Sequence, residues 1–89
     1  MAEEPTAEQL VEELRKAKIS DLLVHTSSMI ASLGFAKLDA DTRDLEQAKL
    51  AIEALKALSP LLPEDSQRDV GGVIASLQLG YADAVKTAS

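Results

Sequence analysis

Apolar residues recur along this chain at helical spacing, and the runs are separated by residues that start or stop helices. The first run, Leu10, Val11, Leu14 and Ala17, is one narrow stripe. Ahead of it, Thr6 and Gln9 have the spacing of a capping box. Glu8, Glu12 and Glu13, followed by Arg15, Lys16 and Lys18, match the sign of a helix dipole. A helix is therefore predicted over residues 7–18. Residues 1–5 read as a disordered tail and residues 87–89 as a second one, leaving a single domain over 6–86.

No Gly or Pro separates this helix from the next run, so Ser20 either caps a new helix or lies inside a continuous one. Ile19, Leu22, Thr26, Met29 and Leu33 are spaced 3, 4, 3, 4 and form the expected core seam. Leu23 and Ile30 widen it, and Val24, Ser27 and Ala31 form a small-residue flank. Gly34 is expected to end the helix in the left-handed conformation. Phe35 to Arg43 reads as a loop, with Phe35 folding back to plug the bundle end. Asp44 then caps a third helix, with Gln47 as its reciprocal partner.

The third helix carries the strongest signal. Leu45, Ala48, Ala51, Ile52, Leu55 and Leu58 share one face, and Leu50, Ala54 and Ala57 an adjoining one. Only Glu46, Lys49, Glu53 and Lys56 remain as a polar strip. A helix apolar over most of its circumference is buried on more than one side, so this one is central or lies in an interface. Pro60 and Pro63 break the chain after it. A fourth helix is predicted from Pro63 or Glu64 to about Lys86. Its core face is Val70, Val73, Ile74, Leu77, Tyr81, Ala84 and Val85, and Gly71, Ala75 and Ala82 form a second strip of small residues. Gly71-Gly72 and Gly80 weaken the helix, so it frays or bends there or another backbone packs closely.

The expected fold is all-α: a small bundle of three main helices plus an N-terminal helical extension, completed by dimerisation. Composition supports the helical reading, because the apolar share of 46% is almost all Leu, Ala, Val and Ile, with only Phe35 and Tyr81 aromatic. A chain of 89 residues buries a small share of its surface, which makes a second copy a natural source of stability. The net charge of −6 argues against nucleic acid and anionic lipid as partners. The chain has no cysteine, its N-terminus is acidic, and no uninterrupted apolar stretch reaches the ~18 residues of a membrane span. A cytoplasmic, non-membrane protein is the expectation.

Residues 20–85 resemble the bacterial family named domain of unknown function 1844. The resemblance is carried by Leu33-Gly34, by the run Asp44-Leu45-Glu46-Gln47-Ala48-Lys49-Leu50-Ala51-Ile52-Glu53-Ala54-Leu55, and by Ser76-Leu77-Gln78-Leu79-Gly80-Tyr81, which is similar to the actinobacterial version. The chain departs from many members at Leu58-Ser59-Pro60-Leu61-Leu62-Pro63, where they carry a Thr-Lys-Gly-Asn-Leu type of turn. The family has no assigned activity, so the resemblance implies a helical fold and transfers no catalytic residue. Some members are encoded near translation genes. That association makes an accessory of the translation apparatus one alternative function, acting on a basic protein surface.

Candidate chemistry is sparse. His25, the only histidine, projects with Asp21, Ser28 and Ser32 on a polar side and lacks the convergent partners of a base or ligand. Ser27, Ser28 and Thr26 lack an adjacent base, and Thr26 is expected to bond a carbonyl one turn back. Asp39, Asp41 and Asp44 lack the glycine and terminal glutamate of a calcium loop. Glu12-Glu13 reads as solvated surface, and Gly71-Gly72 lacks the continuation of a phosphate loop. No catalytic, metal or cofactor residue is assigned, and no enzyme is expected. The expected function is a protein-interaction and self-association module with a homodimer as its assembly. Interface candidates are Leu50, Ala54, Ala57, Gly71, Ala75 and Ala82. A small-molecule-binding regulator or an enzyme with a pocket at the dimer interface is the other alternative.

Overall fold

The computed structural model describes residues 6–88. The expected tail over 1–5 lies outside the described residues. Four α-helices follow one another: α1 (Ala7–Lys16), α2 (Ile19–Ala36), α3 (Leu45–Leu58) and α4 (Glu64–Ala88). Short 3-10 turns at Ala40–Thr42 and Ser59–Leu61 connect the last three, and no strand occurs among the described residues. The all-α bundle of three main helices with an N-terminal extension is what the chain adopts.

The capping box of α1 forms in both directions: the Gln9 amide donates to Thr6 Oγ1 at 3.2 Å, and the Thr6 amide to Gln9 Oε1 at 2.9 Å. α1 and α2 are separate, because Ala17 and Lys18 are both extended (ψ 144° and 140°). α4 continues to Ala88, so residues 87 and 88 are helical rather than tail.

Asp44 caps α3 by accepting from the Gln47 amide at 3.2 Å, but the expected reciprocal bond is replaced. The Asp44 amide donates instead to the Lys37 carbonyl at 2.8 Å, which closes the preceding loop. That loop is also held by Arg43, whose Nη2 donates to the Leu38 carbonyl at 3.3 Å, and by Thr42, whose hydroxyl donates to the Ala36 carbonyl. The proline segment is clasped rather than hinged. Leu62 is buried, and Gln67 Nε2 donates to its carbonyl at 2.8 Å and to that of Pro60 at 3.4 Å.

The core lies where α2, α3 and α4 meet. Ile52, Leu55 and Leu77 form its centre, with Ile30, Ala31, Leu38, Val70, Val73, Ile74 and Tyr81 packed around them. Leu38 rather than Phe35 turns back onto this core; Phe35 sits in the last turn of α2 and is about half exposed. Val85, expected in the core, is 39% exposed.

Gly34 does not stop α2. The helix continues to Ala36, and no glycine among the described residues has positive φ. Its role is close approach: a Cβ at Gly34 would stand 3.0 Å from Ala51 Cβ and 3.2 Å from Leu77 Cδ2. An alanine Cβ cannot rotate aside, so a larger residue forces α2 and α3 apart. Gly34→Val is expected to cost about 1–3 kcal/mol, as overpacking does. At roughly 4–8 °C per kcal/mol for a domain of this size, a thermal melt should show the loss clearly. Gly80 is a milder case: its Cβ would stand 2.9 Å from Leu38 Cδ1, the end of a flexible side chain that can turn away. Gly71 and Gly72 differ, because nothing in the chain lies within 4 Å of a Cβ at either, and close packing does not explain them.

Candidate interaction surface

α2 presents its faces in an order the sequence pattern did not suggest. The small-residue flank packs inward together with Gly34: Ser27 and Gly34 are buried and Ala31 touches the core, as does Ile30, the one residue of the widened seam that packs there. Ser27 has a 2.8 Å bond from its hydroxyl to the Leu23 carbonyl, the back-bond expected of Thr26. The expected core seam faces outward. Ile19 is 71% exposed, Leu22 56%, Met29 55% and Leu33 58%. The reason is geometric. Small residues let α2 approach α3 closely, and that approach rotates the larger side chains out of the bundle.

The exposed seam borders an apolar groove between α2 and α3. The groove has a volume of about 270 Å³ and is lined by Ile30, Leu33 and Gly34 from α2 and by Leu50, Ala51, Ala54 and one polar residue, Gln47, from α3. Two of the interface candidates, Leu50 and Ala54, thus meet at one site. Ala57 is exposed on α3 but does not line the groove. Gly71, Ala75 and Ala82 are exposed on α4 and do not line it either. The residues that sequence reasoning missed as surface are Ile19, Leu22, Met29 and Leu33. Their signal was present in the strict 3, 4, 3, 4 spacing, which is narrower than the stripe of a globular core and typical of a coiled-coil seam.

α1 adds a second unpartnered face. It is amphipathic, yet none of its residues is buried, and Leu10, Val11 and Leu14 are 47%, 46% and 73% exposed. The whole chain exposes 6757 Å². A compact monomer of 9.5 kDa exposes about 5,000 Å². The Cα radius of gyration, 16.4 Å, exceeds the roughly 12 Å of a compact domain this long.

The remaining candidate chemistry does not converge. His25 is exposed and lines none of the clefts described here. No group of three or more His, Asp or Glu placed to hold a metal occurs among the described residues. A cleft of about 330 Å³ between α2 and α4 has hydroxyl groups from Ser27, Ser28, Ser32 and Ser66 and the carboxylate of Asp69 on its walls. The hydroxyl hydrogen of Ser27 is committed to the Leu23 carbonyl, and no cation or imidazole joins the others there. α2 is long and apolar enough, by length and composition, to cross a membrane, although it carries Asp21 and His25 and packs one face against α3 and α4.

No family model matches the chain, and no curated protein or solved structure does so either. Function is therefore argued from the chain's own surface.

Proposed function

We propose that this chain is a protein-interaction module that self-associates into a homodimer and has no catalytic activity of its own. The observation that carries the reading is the pair of solvent-facing apolar faces, one on α1 and one on α2, the latter bordering an apolar groove between α2 and α3. Contiguous exposed apolar surface on a small domain marks an interaction site. Burying it against a second copy adds stability to a core of this size. The same physics favours an aqueous, cytoplasmic setting over a membrane, because the buried flank of α2 is engaged with α3 and α4. The family resemblance and the link to translation add no weight here.

Light scattering across a dilution series tests the reading. The expected result is a mass twice the 9.5 kDa of one chain at high concentration, falling to one chain on dilution. A constant single-chain mass overturns it. Salt separates self-association from capture by a basic partner. Each copy carries −6, so two copies repel, and raising salt from 0.05 to about 0.5 M should tighten the dimer by screening that repulsion. Binding to a basic protein would weaken over the same range. The hydroxyl-lined cleft between α2 and α4 offers a second reading, a small-molecule regulator. It would be favoured if a polar ligand raised the melting temperature without changing the mass.

A further inference from the structure

We infer that the two copies pair through antiparallel α2 helices and that α1 of each lies in the α2–α3 groove of the other. This rests on the self-association reading and supplies its geometry. The seam Ile19, Leu22, Thr26, Met29, Leu33 has the a/d spacing of a coiled coil and carries no charge. Ile19 and Leu33 lie seven residues to either side of Thr26, Leu22 four before it and Met29 three after it. A two-fold axis through Thr26 therefore sets Ile19 against the partner's Leu33 and brings Leu22 within one residue of the partner's Met29. An isologous interface requires this kind of self-complementarity, and a foreign partner does not.

The same axis explains α1. It brings the start of one α2 beside the last turns of the other, where Leu33 and Gly34 open the groove. Only Ala17 and Lys18 separate α1 from α2, and two extended residues span roughly 7 Å. α1 is thereby delivered to the mouth of the partner's groove. Its ten residues measure about 15 Å, and its stripe Leu10, Val11 and Leu14 meets apolar walls at Leu33, Leu50 and Ala54. The area suffices: the chain exposes about 1,700 Å² more than a compact monomer of its mass, about twice what a standard interface takes from each partner.

The chain lacks cysteine, so single cysteines report contacts directly. Thr26→Cys should form a disulfide-linked dimer on mild oxidation. Leu22→Cys should not link to itself but should link to Met29→Cys when the two variants are mixed. Leu14→Cys should link to Leu50→Cys in a mixture. Leu79→Cys, 70% exposed on α4, should remain unlinked. All but Thr26 are exposed positions, so the fold survives the changes. A dimer by light scattering that links at Leu22 with itself, or at Leu79, overturns this pairing and leaves self-association standing. Failure of the Leu14 and Leu50 mixture to link overturns the α1 exchange. A single-chain mass at every concentration overturns both readings together.

Discussion

Leu55→Asp should leave the chain without cooperative structure: far-ultraviolet circular dichroism is expected to lose most of its helical signal, and the thermal transition should vanish. Leu55 is 0% exposed and stands at the centre of the cluster with Ile52 and Leu77. Ile30, Ala31, Leu38, Val70, Val73, Ile74 and Tyr81 pack around that cluster. An ionised carboxylate there is cut off from solvent among apolar side chains, and a cost of several kcal/mol follows. That approaches the whole stability of a typical domain, about 5–15 kcal/mol. Leu50→Asp is the internal comparison. It lies on the same helix, five residues away and 55% exposed, so its carboxylate stays in water and the bundle should hold. Equal helicity in the two variants would show that α3 is not packed as described.

The second large effect concerns assembly rather than folding. Leu22→Glu combined with Met29→Glu should yield a folded single chain in light scattering at concentrations where the parent is dimeric. Both side chains are more than half exposed in the single chain, so their loss leaves the bundle core intact. Across a two-fold axis each substitution counts twice. Four apolar contacts worth about 1.5 kcal/mol or more apiece are removed, and like charges then face each other. Affinity should fall by roughly 10,000-fold or more. A dimer that persists would place the contact elsewhere. Loss of the melting transition would mean that the seam belongs to the core after all.

Much of the fold was legible because local chemistry and tertiary packing agree. Thr6 and Gln9 announced the start of α1, Asp44 that of α3, and the 3.6-residue period of α3 picked out Ala48, Ala51, Ile52 and Leu55. The second apolar face of α3 was also legible, and Leu50 and Ala54 line the groove. The departures on α2 share one cause. Periodicity ranks faces by hydrophobicity, whereas α2 packs by its small face, Ser27, Ala31 and Gly34, because small residues permit the closest helix approach. Gly34 was read as a stop for the same reason. A glycine near the end of an apolar run signals both a terminus and a contact, and only the position of Ala51 separates the two. The groove itself was not legible, since it depends on the relative placement of two helices remote in sequence.

The isolation of α1 has a consequence for regulation. A helix of ten residues, none of them buried, is marginal in water, where about 12–15 residues are needed for persistence. In the proposed exchange its order depends on the second copy, so the chain spends part of its association free energy on folding that segment. Concentration then becomes the input and N-terminal order the output. In that arrangement dilution would release the subunits and melt α1 in the same step while the α2–α3–α4 bundle persists, so the proposed dimer would respond to its own abundance.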